Sequence, residues 1–286
     1  MKKENPSHSL STTRKKILAP AQVRDFRKKI QAYYGARGRD FPWRKKLNPY
    51  RVLGSEVMLQ QTQVERVTEK FIEFLAAFPD FVSLAEAPTA KLLSVWSGLG
   101  YNRRALALRA LAQKVVSDHR GTLPRDPDKL LSLPGIGKYT AGAVLAFAFN
   151  KPVVFMDTNI RRVYIHEFLA DRDSVNDDEL FPLIEQTLDR ENPRKWYNAL
   201  MDHGTALKKE HANPNRKSAH YTRQSPFENS NRQVRGAILK VLVKESPLSA
   251  AAIVKMTAMD KERVKKNLEL LEKEGFVKKK GQVYTL

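Results

Sequence analysis

Two carboxylates stand where they could do chemistry. Asp157 follows the apolar run Val153–Met156 and opens a helical pattern carrying Ile160, Val163 and Phe168. Its plain role is a helix N-cap, for which aspartate is a preferred residue. The dipole of that helix also keeps the carboxylate ionised, and an ionised carboxylate is what stabilises an oxocarbenium-like sugar as a glycosidic bond breaks. Glu56 lies among apolar residues in Ser55-Glu56-Val57-Met58-Leu59-Gln60-Gln61-Thr62-Gln63, on a stretch with the period of a buried helix. Burial raises the pKa of a carboxyl group, which makes Glu56 a candidate general acid. Paired with Arg51 or Lys70, it would instead be a salt-bridged helix residue. Two carboxylates in different environments give the division into acid and stabiliser that glycosidic cleavage needs.

Between them stands Leu133-Pro134-Gly135-Ile136-Gly137-Lys138-Tyr139-Thr140-Ala141-Gly142, with Asp157 22 residues beyond Gly135. Glycine at 135 and 137 lets backbone approach a phosphate closely, and the helix that follows supplies unpaired N–H donors and a positive dipole. Glycine also serves many ordinary helix–helix corners. Lys138 directly after the turn favours a nucleic-acid backbone, and such a contact fixes register without reading sequence.

The overall charge agrees. The 286 residues hold 51 Lys+Arg against 31 Asp+Glu, a net +20, which suits a polyanionic partner. There is no cysteine, so disulfides, thiolate zinc sites and iron–sulfur ligation are excluded. The N-terminus has no apolar core of signal-peptide length, and the longest apolar run, 143–149, is too short to span a bilayer. The expectation is a cytoplasmic protein, nucleoid-associated in a prokaryote, that does not engage membranes.

The elements that must position these residues read as almost entirely helical. After a basic, flexible arm over 1–20, helical periodicity fills 21–207, with helices expected at 49–63, 64–78, 89–98, 103–118, 127–133, 138–149, 158–169, 177–190 and 193–207. Residues 208–230 are polar and rich in Pro, Asn and Ser, as in a linker or surface loop. Over 231–286, three helices, two of them capped by Ser249 and Asp260 and the last ended by Gly275, precede a hairpin at 276–280 and 282–286. That is the winged-helix pattern, and its 13 Lys/Arg against 6 Asp/Glu (13 − 6 = +7) suit DNA.

SEVMLQQTQV (55–64), WSGLGYNRRALAL (96–108), LPGIGKYTAG (133–142) and MDTNIRRV (156–163) resemble, in order and spacing, the adenine-specific mismatch DNA glycosylases of the helix-hairpin-helix superfamily. The resemblance runs from about Arg39 to Lys208. It implies an all-α, two-lobed glycosylase domain acting in base excision repair on double-stranded DNA with a mismatched or damaged base, as a monomer. By the same resemblance, Glu56 protonates the adenine ring and Asp157 stabilises the sugar cation, supported by Tyr139 and Asn159. Gln61, Thr62 and Tyr101 match DNA-contacting positions, Gln61 and Tyr101 being wedges beside the flipped base. Arg39, Trp43 and Arg44 match the rim of the adenine pocket, and Gly135, Gly137 and Lys138 the phosphate-binding hairpin. Where related glycosylase/lyases carry a Schiff-base lysine, this chain has Tyr139, which implies a monofunctional enzyme. A thymine or uracil mismatch glycosylase is the alternative on the same scaffold. A non-catalytic winged-helix DNA-binding protein is the alternative from another class.

The chain departs from the family in three ways. The family's four iron–sulfur ligand positions fall at Lys208, Asn215, Ser218 and Gln224, so no cofactor is expected, and the loop 213–225 stands in that region. The winged-helix pattern occupies the place of the family's 8-oxoguanine-reading domain. Thr158 stands where adenine-specific members usually carry glycine.

Overall fold

The structure, a computed structural model, describes residues 16–223 and 226–286. Most of the arm expected over 1–20 lies outside them, as does Gln224. Of the remainder, Leu18 is buried and its N–H donates to Gln186 Oε1 at 2.8 Å.

In chain order the elements are α1 (Pro20–Arg37), α2 (Pro42–Lys45), α3 (Pro49–Leu59), α4 (Val64–Ala77), α5 (Phe81–Ala85), α6 (Thr89–Trp96) and α7 (Arg103–His119). Then come α8 (Pro127–Leu131), α9 (Lys138–Phe147), α10 (Thr158–Phe168), α11 (Asp177–Thr187), α12 (Pro193–Glu210) and a 3-10 turn at Pro214–Lys217. The C-terminal segment holds α13 (Asn231–Lys244), β1 (Leu248–Ser249), α14 (Ala250–Thr257), α15 (Lys261–Lys273), β2 (Lys278–Lys280) and β3 (Val283–Thr285). Local chemistry explains many starts. Proline opens α1, α2, α3, α8 and α12, where its missing N–H costs nothing. Asn48, Asp80, Asp126, Asp157, Ser230, Ser249 and Asp260 each cap a helix through a side-chain oxygen.

The largest difference from the expected helix ends is at α3, which stops at Leu59 rather than at 63; α11 stops at Thr187 rather than 190, and α12 runs on to Glu210 rather than 207. Gln61 adopts φ 54°, in the left-handed region, and Arg104 takes the carbonyls that the helix would otherwise have used. Strand β1 is absent from the sequence reading because two residues are too few to show an alternating pattern. It extends the expected hairpin into an antiparallel sheet of order β1-β3-β2.

By proximity along the fold the described residues divide into two compact units, 16–39 with 152–221, and 40–151 with 222–223 and 226–286. In the first, the core is aromatic: Phe26 of α1 meets Tyr164 and Phe168 of α10 and Trp196 of α12 with ring centroids 4.9–5.7 Å apart, all edge-on. In the second, Leu53 and Met58 of α3, Phe71 and Phe74 of α4 and Trp96 of α6 are fully buried. Residues 231–286 share that unit: Leu93 of α6 is buried in one cluster with Val234, Ile238, Leu268 and Phe276, and Leu106 of α7 packs against it. No helix among the described residues is long and apolar enough to cross a membrane.

Candidate active site

In the first unit, Asp157 is the N-cap of α10 and more than that. Its Oδ1 accepts from the N–H groups of Asn159 (2.9 Å) and Ile160 (2.7 Å), and Oδ2 accepts from Asn159 Nδ2 (3.0 Å). The residue is half-buried. Desolvation pushes its pKa up, while those hydrogen bonds and the charge of Arg162 pull the other way without cancelling it. The result is a carboxylate gripped by donors yet poorly hydrated, and its remaining charge is available to a cation.

Asn159 is in turn held by Arg162, which is 4% exposed. Arg162 Nη1 donates to Asn159 Oδ1 (2.8 Å) and to the Gly204 carbonyl (2.6 Å), and Nε donates to Asn213 Oδ1 (3.0 Å). Burial lowers the pKa of Arg162, and Asp157 opposes that shift. Gly204 has to be glycine: a Cβ there would lie 2.4 Å from the Asn159 carbonyl oxygen, so α12 approaches α10 at contact distance. Arg39, expected at a pocket rim, is fixed in this unit by Asp202. Its backbone N–H and its Nε each donate to that carboxylate at 2.8 Å.

The region expected to hold metal in relatives is built differently. Lys208 is exposed near the end of α12, whereas Asn215, within the 3-10 turn, and Ser218, directly after it, are buried. Asn215 Nδ2 donates to the Thr158 carbonyl at 2.8 Å, and Val175 exchanges backbone hydrogen bonds with Lys217 and Ala219. The chain has no thiolate to offer, and among the described residues no group of three His, Cys, Asp or Glu side chains could hold a metal ion. The residues present do not fit an iron–sulfur cluster; this turn is tied to α10 by amide hydrogen bonds instead.

In the second unit, Glu56 is 6% exposed on α3, and the Tyr139 hydroxyl on α9 donates to its Oε2 at 2.7 Å. Of the two cations considered as its partners, Lys70 pairs with Glu73 and Arg51 lies 5.5 Å over the Phe71 ring. Next to α9, Gly135 sits at φ 76° with Ala107 Cβ 3.0 Å from where a Cβ would stand, so both backbone and space call for glycine. Gly137 is the exposed N-cap of α9, and a Cβ there would meet nothing within 4 Å. Its glycine therefore answers to no contact within the chain. Lys138, exposed, follows it.

Gln61 and Tyr101 sit on two loops joined by one guanidinium. Arg104 Nη1 donates to the carbonyls of Val57 (2.8 Å), Met58 (2.9 Å) and Gln60 (2.6 Å). Its Nη2 donates to Thr62 Oγ1 (3.0 Å) and to the carbonyls of Leu99 (3.1 Å) and Gly100 (3.0 Å). Burial pushes its pKa down to about 10, so it stays charged at neutral pH. Both residues are left-handed, Gln61 at φ 54° and Tyr101 at φ 47°, a conformation that needs outside support in non-glycine residues. Trp43 is buried, stacked on Phe41 at 4.8 Å, and Arg44 covers the same Phe41 ring at 5.0 Å.

Arg104, Arg162, Asp202 and Asn213 are the positioning groups missed by reading the sequence. Arg104 and Arg162 lie inside conspicuous motifs, but helical spacing does not mark an arginine as a fastener. Asn213 had only its place in a loop where metal ligands were missing.

Residues 55–182 match the family model described as HhH-GPD superfamily base excision DNA repair protein. The chain is 36% identical over 170 residues to adenine DNA glycosylase of Buchnera aphidicola subsp. Baizongia pistaciae, covering 58% of this chain and 48% of that protein. It is 42% identical over 135 residues to adenine DNA glycosylase of Mycolicibacterium smegmatis, covering 47% of this chain and 46% of that protein. The chain thus spans about half the length of these relatives. Among solved structures, a thermostable thymine-DNA glycosylase aligns with a TM-score of 0.59 at 29% identity, over 64% of this chain and 86% of that one.

Proposed function

Since residues 55–182 match the model of the HhH-GPD superfamily of base excision DNA repair proteins, we propose that this chain is a monofunctional DNA glycosylase. It removes adenine mispaired with guanine or 8-oxoguanine and leaves an abasic site. The observation that carries the proposal is the pair of contrasting carboxylates. Asp157 is held by three donors. Glu56 is buried under a tyrosine hydroxyl. Relatives named adenine DNA glycosylase, at 36% and 42% identity, support the choice of base.

In this mechanism Glu56 delivers a proton to a ring nitrogen of the extruded adenine, which draws the bonding electrons of the glycosidic bond into the base. The sugar is left with oxocarbenium character, and Asp157 faces that charge as a fixed anion. Water adds to the anomeric carbon and gives up a proton, completing hydrolysis. Asn159 and Arg162 keep the Asp157 carboxylate oriented; Tyr139 orients Glu56. No lysine follows Lys138, so there is no amine at that position to form a Schiff base.

The N–H groups of the exposed residues Gly137 and Lys138 donate to a backbone phosphate, with Gly135 shaping the turn. Gln61, Thr62 and Tyr101 enter the duplex beside the vacated stack. Arg39, Trp43 and Arg44 border the base. Residues 231–286 act as a winged helix that adds phosphate contacts, and the protein works as a monomer on chromosomal DNA in the cytoplasm. Thymine or uracil excision is the second reading, favoured by the thymine-DNA glycosylase neighbour. Glu56 opposes it, because a pyrimidine offers no matching ring nitrogen to protonate.

Base release from duplexes containing A:8-oxoG, A:G, T:G and U:G, with and without alkaline workup, tests the proposal. Adenine release whose strand breaks appear only after alkali is expected. Release of thymine or uracil alone, or breaks without alkali, would overturn it.

A further inference from the structure

We propose that Arg232, supplied by the C-terminal segment, is a positioning residue that sets the Tyr101 ring for insertion into the base stack. This rests on the reading of Tyr101 as a wedge.

Tyr101 is held from two sides. Arg104 lies 5.6 Å from its ring centroid and bonds the carbonyl of the residue before it. Arg232 approaches from 131 positions away in the chain: its Nη1 donates to the Tyr101 hydroxyl at 2.7 Å, and its guanidinium lies 5.4 Å from the ring centroid. Arg232 is itself steadied, since its Nη2 donates to the Pro226 carbonyl at 3.1 Å. A charge-assisted hydrogen bond and a cation–π contact converge on one half-buried ring, and that fixes its tilt as well as its place.

The mount is rigid. Arg232 is the second residue of α13, whose first turn is capped by Ser230. One turn on, Arg235 pairs with Glu274 at the end of α15, and Arg103 at the start of α7 pairs with the same carboxylate. Beneath these ion pairs, Val234, Ile238 and Leu242 of α13 join a common core with Leu93 of α6 and Leu106 of α7. The C-terminal segment is therefore bolted to the helix that starts two residues after Tyr101.

A wedge must resist rotation while it forces two bases apart. Tyr101 starts from a left-handed backbone, φ 47°, which favours relaxation unless contacts oppose it. Ordering the ring before DNA arrives removes that cost from the flipping step. On this account residues 231–286 assist base extrusion as well as binding DNA.

The test places 2-aminopurine beside an uncleavable 2′-fluoro-adenosine opposite guanine and follows the fluorescence rise as the stack opens. Single-turnover adenine release on ordinary A:G duplex, affinity for fully paired duplex and thermal melting are measured alongside. Arg232→Ala and Tyr101→Phe should each reduce the fluorescence rise and slow release about tenfold, the scale of one charge-assisted hydrogen bond. Paired-duplex affinity should stay within about twofold, and the double variant should be no worse than Arg232→Ala alone, because Arg232→Ala already removes the hydrogen bond that Tyr101→Phe removes. Arg232→Lys should recover part of the signal. Full fluorescence in Arg232→Ala and Tyr101→Phe, or a loss confined to paired-duplex affinity, overturns the positioning role. Tyr101→Ala separates the two claims. If it abolishes the signal while those milder variants do not, the wedge stands and Arg232 has no part in it. If it leaves the signal intact, the wedge reading fails and the inference fails with it.

Discussion

Arg162 Nε donates to Asn213 Oδ1 at 3.0 Å, and this contact links the turn at 214–217 to Asp157 through Asn159. Asn213 Oδ1 also accepts the Asn215 N–H at 3.3 Å, so one amide oxygen ties the turn to itself and to α10. Asn213→Ala should leave a buried guanidinium donor without its acceptor, at a cost of about 1–3 kcal/mol. Melting should fall by a few degrees, and single-turnover base release should slow on the order of tenfold as Asn159 loses its anchor. Asn213→Asp keeps the acceptor and should recover much of both. Unchanged release with lowered melting would confine Asn213 to a structural role.

Asp157 carries a prediction with two signs. Its pKa is raised by desolvation, and a carboxyl whose folded pKa exceeds its unfolded value contributes stability that is present at low pH and lost as pH rises through the folded pKa. When ionised, as the mechanism requires, Asp157 is therefore a charge that its surroundings disfavour. Asp157→Asn removes that charge while keeping a good N-cap, so melting should rise, by about 2–4 °C if the relief is about 1 kcal/mol. Base release should be abolished in the same protein. In the wild type, release should fall on acidification at a pH above the ordinary aspartate value of 3.8, because protonation removes the anion. A pH–rate profile of kcat/KM checks the limb, and calorimetry checks the melting shift.

Glu56 makes a simpler demand. Glu56→Gln keeps the shape and an acceptor for the Tyr139 hydroxyl but cannot give up a proton, so release should drop by about 10²–10⁴-fold with duplex affinity retained. Tyr139→Phe should cost far less, since it removes an orienting hydrogen bond and leaves the acid in place. Equal losses in both variants would mean that the hydroxyl does more than orient.

What the sequence disclosed and what it hid follow one physical division. Helix periodicity and caps are local, so α4, α6, α7, α9 and α10 end within about two residues of their expected limits. Asp157 was legible because an aspartate after an apolar run and before a helix is a local pattern. The end of α3 was not legible, because Arg104 comes from 44 to 47 positions away to take its last carbonyls. Asn213 and Arg232 were hidden for the same reason: each acts through a contact that only the folded chain creates.

The strand β2, Lys278-Lys279-Lys280, is exposed along its length. Its pairing with β3 gives alternate residues opposite faces. Lys279 lies on the face of Tyr284, its Nζ 5.7 Å from the ring centroid, which places Lys278 and Lys280 together on the other face. If that face meets phosphate, each lysine that neutralises one should contribute about 0.9 to the slope of log K against log salt. Lys278→Ala with Lys280→Ala should therefore flatten the slope by roughly 1.8 and weaken binding to matched and mismatched duplexes alike, because phosphate contacts carry no sequence information. Lys279→Ala should change the slope less and lower melting slightly, because no ammonium then covers the Tyr284 ring. Fluorescence anisotropy across a salt series decides between them, and an unchanged slope in the double variant would show that this face does not touch the DNA backbone.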